Sequence, residues 1–283
     1  MYVMSYFRTA AEALHLAISD DGLQWQALNQ NQPVLTGTVG TKTLRDPFVF
    51  QAQDGQFHLF ATNGWKADSI VHATSPNLIN WSEQELLPVM AGVPNVRNCW
   101  APECFYDYEA KLYRIIWSSS VTEPNGSADW NHRIWSCTTA DFKSYTPAQL
   151  FLDPGYSVID ATVIRFQGQY LLAFKDERGE NRIGTNWKAM RVCFAPHAEG
   201  PWTEISELIT PSLTEGPTMF QREDHLVMIF DHFIEDYFGA MQSDDGINWQ
   251  SITNQMQFPP GPRHASVLEV TDEVGQNLMK QLA

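Results

Sequence analysis

The sequence predicts an all-β fold: a five-bladed β-propeller with four-stranded blades, in which a C-terminal strand completes the N-terminal blade and closes the ring. Three observations support this expectation. A strand-like motif occurs five times along the 283 residues, further strand-like runs precede its copies, and the run that the N-terminal copy lacks is found near the C-terminus. Self-similarity of this kind is typical of repeat architectures such as propellers.

The repeated motif is an apolar strand that usually ends in Ser or Thr and is followed by a polar turn and an aromatic residue. Its five copies cover residues 14–19, 70–75, 134–139, 190–194 and 239–243. The aromatic residue after four of these turns is a tryptophan: Trp25, Trp81, Trp202 and Trp249. Apolar and aromatic residues are enriched in strands, so we expect these tryptophans to pack between blades.

Two further strand types precede this motif. The first is rich in β-branched and aromatic residues and covers residues 2–7, 56–62, 112–117, 170–174 and 226–230. The second, expected to be innermost, covers residues 48–50, 104–106, 161–164 and 218–220, and residues 265–270 supply the missing N-terminal copy. Such complementation removes a sheet edge. Since no linker interrupts the pattern, we expect one propeller domain over residues 1–283.

Composition narrows the function classes. The formal net charge is −15, which disfavours a nucleic acid partner and tolerates a neutral oligosaccharide. No apolar run is long enough to span a membrane, and the first residues read as a strand rather than a signal peptide. The four cysteines show no metal spacing, so we expect buried free thiols and a cytoplasmic protein, or a secreted one if a signal peptide has been removed.

Ionisable residues occur where each innermost strand is expected to begin at the propeller axis. They are Asp46, Glu103, Asp160, Glu215 and His264. One such residue beside Pro or Gly would ordinarily be only a turn residue, but five at matching repeat positions indicate a functional funnel. Glycoside hydrolysis needs one carboxylic acid and one carboxylate. A third carboxylate nearby would raise the pKa of the acid by like-charge repulsion.

The stretches 45–47, 100–103, 159–161, 215–217 and 263–264 resemble glycoside hydrolase family 43, and the likeness extends along the whole chain. The resemblance implies a five-bladed propeller and an inverting mechanism. It also implies that Asp46 is the general base, that Glu215 is the general acid, and that Asp160 orients Glu215 and tunes its pKa.

The resemblance assigns further residues around these three. It implies that His264 faces a central metal ion, often calcium, through water; a core histidine is the alternative, and no cofactor is expected to be required. Arg263 is expected to bind substrate hydroxyls or the carboxylate of the acid. Trp100 is expected to stack on a sugar and Arg45 to bind substrate. Glu103 has two open interpretations, substrate recognition and a buried structural salt link.

The resemblance implies a substrate class, and we expect exo-action on α-L-arabinofuranosides or β-D-xylosides. The loops at residues 65–68 and 123–126 would distinguish substrates but reveal no specificity. Two alternatives remain. A retaining fructosidase-like propeller would share the motifs at 45–47 and 103–104, but would need a nucleophile motif that the first blade lacks. A non-catalytic sugar-binding propeller would have no use for three carboxylates at one axis.

Overall fold

The computed structural model describes residues 1–122, 130–184 and 187–283. The strands in these residues form five antiparallel sheets that follow one another along the chain. Each sheet is made by hairpins between consecutive strands, with one exception at the ring closure. The five-bladed propeller predicted from the repeat is therefore confirmed.

The blades are numbered by their position in the chain. Blade 1 contains β1 (Tyr2–Arg8), β2 (Ala11–Ser19), β3 (Gln26–Ala27) and the C-terminal β19 (Arg263–Glu269). Blade 2 contains β4 (Arg45–Gln51), β5 (Phe57–Thr62), β6 (Ile70–Ser75) and β7 (Glu85–Leu87). Blade 3 contains β8 (Trp100–Asp107), β9 (Leu112–Ser120), β10 (His132–Thr139) and β11 (Gln149–Leu152). Blade 4 contains β12 (Val158–Phe166), β13 (Gln169–Asp176) and β14 (Met190–Ala195). Blade 5 contains β15 (Glu215–Arg222), β16 (His225–His232), β17 (Tyr237–Ser243) and β18 (Gln250–Ser251).

The ring closes as the sequence predicts. Strand β19 pairs antiparallel with β1, from Tyr2 opposite Glu269 to Phe7 opposite Arg263. The first and last strands of the propeller thus lie in the same sheet, and β19 pairs with the inner edge of β1. After β19, helix α1 (Asp272–Gln281) begins at Thr271, whose side chain accepts a hydrogen bond from the Val274 N–H. No helix in the described ranges is both long and apolar enough to cross a membrane.

The repeated motif has a local explanation in its turn. The Gly22 N–H donates to Ser19 Oγ at 2.9 Å, and the Leu23 N–H donates to Asp21 Oδ1 at 2.8 Å. The same two bonds recur in blade 5, where Ser243 and Asp245 accept them. Short polar side chains that bond nearby backbone N–H groups stabilise such turns. This chemistry explains why the strands end in Ser or Thr and why an acidic residue often follows.

Blade 4 differs from the prediction, because it has three strands in the described part of the chain rather than four. The segment after β14 runs alongside it but bonds to it through every third residue, as in the Thr203 N–H to the Phe194 carbonyl at 2.7 Å. Hydroxyl oxygens satisfy the β14 edge instead: Thr203 Oγ1 accepts from the Phe194 N–H at 2.9 Å, and Ser206 Oγ accepts from the Val192 N–H at 2.9 Å. Side-chain acceptors therefore replace a fourth ladder.

The core lies between the blades. Trp25 is 4 % exposed and packs between blades 1 and 5, while Trp81, Trp202 and Trp249 are partly buried against three other core clusters. The prediction that these tryptophans pack between blades is confirmed. The prediction for the cysteines is also confirmed, because all four thiols are buried and free.

Candidate active site on the propeller axis

Every innermost strand carries a β-bulge near its first residues. In β4 the pairing shifts between Arg45, which lies opposite Thr62, and Phe48, which lies opposite Phe60, so β4 has one extra residue over this stretch relative to β5. The four other innermost strands have the same one-residue shift, at 100–103, 159–162, 215–218 and 263–266. A bulge bends its strand and redirects a side chain, and bulges are common beside active sites. The five bulges therefore place equivalent residues around the axis.

The second residue of each bulge has a positive φ angle. These residues are Asp46 (48°), Ala101 (47°), Asp160 (54°), Gly216 (57°) and His264 (43°). The left-handed conformation is uncommon for residues other than glycine and is most easily adopted by Asn, Asp and His. Three ionisable side chains held in it at one axis are typical of a functional site, where local strain is retained for a purpose.

This register corrects the expected equivalence of the five axis residues. Asp46, Asp160 and His264 are equivalent, but Glu215 lies one residue earlier in its bulge, and Glu103 lies two residues later than Ala101 in its own. The prolines contained the signal, since the third bulge residue is Pro in three blades: Pro47, Pro102 and Pro217. If the five segments are aligned on these prolines rather than on their charged residues, Glu103 falls two positions after the residue that is equivalent to Asp46 and Asp160.

A cavity of about 620 Å³ lies over the bulges. All three predicted catalytic carboxylates line it, together with Arg45, Trp100, Arg263 and His264. Such a volume is in the range of small-molecule sites. The sequence therefore predicted correctly that these residues converge, with Glu103 as the exception.

Asp46 is held by two neighbours. Thr62 Oγ1 donates to Asp46 Oδ2 at 2.6 Å, and His264 Nδ1 lies 3.5 Å from Asp46 Oδ1. The Thr62 oxygen also accepts from the Ala101 N–H at 2.8 Å, so it joins blade 2 to blade 3. The Asp46 side chain is 13 % exposed, which leaves it open to a molecule in the cavity.

Asp160 is 7 % exposed and is fixed through its backbone and its side chain. Its N–H donates to Ser118 Oγ at 3.0 Å, and its Oδ2 accepts from the Gly216 N–H at 3.1 Å. Burial raises the pKa of Asp160 to about 6; Glu215 raises it further, while His264 opposes the shift. The pKa of Asp160 is thus raised well above that of an ordinary aspartate, chiefly by burial.

Two cationic side chains donate hydrogen bonds to Glu215. Lys175 Nζ donates to Glu215 Oε2 at 2.8 Å, and Arg263 Nη2 donates to Oε1 at 3.0 Å. Burial acts to raise the pKa of Glu215, but Lys175 and Arg263 outweigh it and lower the pKa below its usual value. The expectation that like charge keeps Glu215 protonated is therefore wrong for this state, because Lys175, which no motif in the sequence marks as a neighbour of Glu215, pairs with it.

Arg263 binds carboxylates on both sides. Its Nε donates to Asp231 Oδ2, while Nη2 contacts Glu215, so the expected contact with the candidate acid is present. Asp231 is completely buried and lies directly opposite Glu215 in the β15–β16 ladder. Burial raises the pKa of Asp231 to about 7, with Arg263 opposing the shift and Glu215 adding to it.

Three tryptophans form one wall of the cavity. The rings of Trp100 and Trp130 are stacked with centroids 5.2 Å apart, and Trp65 meets Trp100 edge to face at 5.3 Å. Trp65 is 62 % exposed and Trp130 is 40 % exposed. Arg45 lies over the Trp65 ring at 5.2 Å and pairs with Glu12. The wall offers the flat apolar surface on which sugar rings stack.

Glu103 lies away from the cavity, whereas His264 lines it. Glu103 is 6 % exposed and does not line the cavity; burial raises its pKa well above the usual value, and the Thr162 hydroxyl bonds it. His264 lies against Gly216, where a Cβ atom would come within 2.9 Å of Nδ1. No group of three or more His, Cys, Asp or Glu side chains in the described ranges is arranged to hold a metal ion. The donors therefore do not fit a directly bound Ca²⁺, which takes six to eight oxygen ligands.

Several residues at the cavity belong to no motif of the sequence. Thr62, Lys175 and Asp231 each lie opposite the first residue of a bulge, at the cavity end of a second strand. Each is a polar residue at or near the end of an apolar run, and that break in pattern was a usable signal. His132 and Trp130 also belong to the cavity wall. Of the two loops expected to set specificity, Trp65 reaches the cavity, and residues 123–126 lie outside the described residues.

A propeller that brings three carboxylates and a tryptophan wall into one cavity has the fold and site of a glycoside hydrolase. The chain belongs to the glycosyl hydrolase family related to family 43: the profile of this family, described as a probable glycosyl hydrolase domain, matches residues 1–275. A named relative is the α-L-arabinofuranosidase of Bifidobacterium longum subsp. longum, which is 27 % identical over 187 residues. That match covers 56 % of this chain but only 18 % of the relative, so this chain spans a small part of its length.

Solved structures of other proteins share the fold. A thermostable family-43 glycoside hydrolase superposes with a TM-score of 0.60 and 17 % identity, covering 81 % of this chain and 80 % of the other. The α-L-arabinofuranosidase of Lactobacillus brevis gives 0.58 and 16 %, covering 78 % and 74 %. An endo-1,4-β-xylanase of Bacteroides thetaiotaomicron gives 0.61 and 16 %, covering 88 % and 90 %. Identities this low support the fold alone.

Proposed function

We propose that this protein is an inverting, exo-acting glycosidase that removes α-L-arabinofuranosyl or β-D-xylosyl residues from neutral oligosaccharides. The observation that carries the proposal is the convergence of Asp46, Asp160 and Glu215 on one cavity with a tryptophan wall. The family supports glycoside hydrolysis, and the substrate named for the Bifidobacterium relative favours arabinofuranosides as the first to test.

Asp46 is the proposed general base. A water molecule over Asp46 attacks the anomeric carbon, and its proton passes to the carboxylate as the bond to the leaving oxygen breaks. The Thr62 hydroxyl fixes Asp46 Oδ2, so the carboxylate is held in one orientation while it accepts the proton. The product then has the opposite anomeric configuration.

Glu215 is the proposed general acid, which gives its proton to the leaving oxygen. It must be protonated when substrate is bound, although Lys175 and Arg263 keep it ionised in the free protein. A substrate that fills the cavity expels water, which disfavours the charged form of a carboxyl group. Asp160 is the proposed positioning residue, because its Oδ2 accepts the N–H of Gly216, the residue next to Glu215.

The experiment is hydrolysis of an aryl glycoside panel: arabinofuranoside, xyloside, galactoside, galactofuranoside and fructoside. We expect cleavage of one or both pentosides, with ¹H NMR showing an inverted first product. Asp46→Asn should lower kcat/KM by roughly 10²–10⁴-fold. Glu215→Gln should be impaired most on substrates with poor leaving groups, which need protonation. Glu199→Gln, which removes an exposed carboxylate that does not line the cavity, is the matched control.

Other outcomes would favour the alternatives. Retained configuration with cleavage of the fructoside would support the fructosidase-like mechanism and remove Asp46 as a base. Hydrolysis of no glycoside, together with saturable binding of an oligosaccharide, would support the sugar-binding propeller. Cleavage of hexosides with no pentoside turnover would refute the proposed substrate class.

A further inference from the structure

Six ionisable side chains, with basic and acidic groups in alternation, form a continuous row that begins on one wall of the cavity and ends at the buried Asp231. In order they are Lys188, Glu177, Lys175, Glu215, Arg263 and Asp231. Lys188 Nζ is 3.1 Å from Glu177 Oε2, and Lys175 Nζ is 2.6 Å from Glu177 Oε1. Beyond Glu215, Arg263 Nε contacts Asp231 Oδ2. The candidate acid is thus inside the row, with a cation on each side and a second carboxylate beyond each cation.

This arrangement creates a chemical difficulty for a general acid. Both oxygens of Glu215 are occupied by cations, at 2.8 and 3.0 Å, and a carboxylate so paired resists protonation. Lys175 and Arg263 are also well shielded from solvent, with side chains 4 % and 17 % exposed. Weak screening makes their charges act strongly on Glu215. A working acid therefore needs something that offsets the two cations.

We propose that Glu177 and Asp231 are positioning residues of the candidate acid. Each competes with Glu215 for one cation, Glu177 for Lys175 and Asp231 for Arg263. The inference rests on the proposed function, because the competition matters only if Glu215 must accept a proton.

The geometry supports competition rather than simple bracing. Lys175 Nζ forms an ion pair with Glu177 Oε1 at 2.6 Å beside its hydrogen bond to Glu215 Oε2 at 2.8 Å, so the two carboxylates share one cation. Asp231 is completely buried, and its Oδ1 accepts no hydrogen bond from the described residues, which makes it a costly group to keep for packing alone. When Glu215 gains a proton, each cation keeps a carboxylate partner and is not left as an unpaired buried charge.

Two further groups act on Glu215 from the neighbouring blades. Asp160 on β12 carries like charge, and the pKa of each carboxyl responds to the common neighbours Lys175 and His264. His264 on β19 acts in the same direction as the two cations when it is protonated. The ion pairs of Glu177 in the described residues are with Lys175 and Lys188, so a change at Glu177 tests the row without directly altering Asp160 or His264.

The test is a direct titration of Glu215 by NMR. Protein labelled with ¹³C at glutamate Cδ gives one carboxyl signal per glutamate, and the signal of Glu215 is the one missing from Glu215→Gln. In Glu177→Gln the pKa of Glu215 should fall by about half a unit or more, because a negative charge is lost and Lys175 turns fully to Glu215. Asp231→Asn should lower it in the same direction through Arg263.

Lys175→Met should shift the pKa of Glu215 in the opposite direction. Because this variant removes a cation, the pKa of Glu215 should rise by about one unit or more. Glu12→Gln is the matched control, because it removes a carboxylate that pairs with a cavity arginine, Arg45, outside the row. It should leave the Glu215 signal unmoved. If Asp231→Asn does not fold, Glu177→Gln still decides, because the Glu177 side chain is 20 % exposed at the cavity.

A purely structural role for Glu177 predicts the opposite result. Loss of bracing would free Lys175 from Glu215, so the pKa of Glu215 would rise or stay constant, and either outcome overturns the proposal. The kinetic readout is the ratio of kcat on poor and good leaving groups, which should fall at least threefold in Glu177→Gln. If the protein hydrolyses no glycoside while the NMR shifts have the expected signs, the row stands and the proposed function fails.

Discussion

Thr62 gives the sharpest single test of how the axis is held together. Its hydroxyl donates to Asp46 Oδ2 at 2.6 Å and accepts from the buried Ala101 N–H at 2.8 Å. Thr62→Val keeps the shape of the side chain and removes both bonds. Thr62→Ser keeps the hydroxyl and loses only a methyl group. The difference between these variants therefore isolates the hydroxyl.

The expected magnitude follows from the two bonds. A hydrogen bond to a charged group contributes about 1.5–3 kcal/mol, and a buried N–H without an acceptor costs about 1–3 kcal/mol. Since the Asp46 side chain is 13 % exposed, water from the cavity can replace part of the first bond. We therefore expect Thr62→Val to lower the free energy of unfolding by roughly 2–4 kcal/mol. For a domain of this size that is a fall in Tm of roughly 5 °C or more.

The assay combines urea unfolding with kcat/KM on the best substrate of the panel. If half of the lost interaction acts on the orientation of Asp46, kcat/KM should fall roughly tenfold in Thr62→Val. Thr62→Ser should lose less than about 1.5 kcal/mol of stability and should keep most of its activity. Equal losses in the two variants would refute the reasoning, because the hydroxyl would then contribute nothing beyond packing.

Three further predictions concern the residues of the β-bulges at the propeller axis. Gly216→Ala should lower the free energy of unfolding by roughly 2 kcal/mol or more, because Gly216 has a φ of 57° and the new Cβ would lie 2.9 Å from His264 Nδ1. Gly168→Ala, at a φ of 83° where no atom of the described residues lies within 4 Å of the new Cβ, should cost only about 1 kcal/mol in urea unfolding, and equal costs would contradict the steric argument. Asp160→Asn should stabilise the protein at pH 8 by up to about 3 kcal/mol, because burial raises the folded-state pKa to about 6 from 3.8, so the ionised form is the costly one. That gain should disappear as the pH falls from 6 towards 4, and a thermal unfolding series that shows a constant gain would refute the assignment. A chelator should leave Tm and kcat unchanged; a loss that Ca²⁺ restores would indicate a metal held near His264 through water.

Much of the fold could be predicted because it depends on local patterns. The turn bonds at Ser19 and Asp21 use residues two or three apart, so the sequence shows them directly. The closure of β19 on β1 could be predicted because one copy of the repeat lacked an inner strand. Blade 4 was not predicted correctly, since the hydroxyls of Thr203 and Ser206 replace a ladder without any change in strand-like composition.

The electrostatics of the site could not be predicted in the same way, because they depend on contacts between blades. Lys175 and Glu215 are 40 residues apart, and Arg263 is 48 residues from Glu215. A sequence motif identifies a carboxyl group but not the cations that reach it, so the sign of the Glu215 pKa shift was wrong while its place at the axis was right. The same reasoning explains Glu103: its charge suggested a place on the ring, but the bulge register puts it two residues deeper, where burial keeps its pKa high. For a propeller site, the register of the bulges decides which carboxyls reach the cavity, and the second strands of neighbouring blades decide which of them are ionised there.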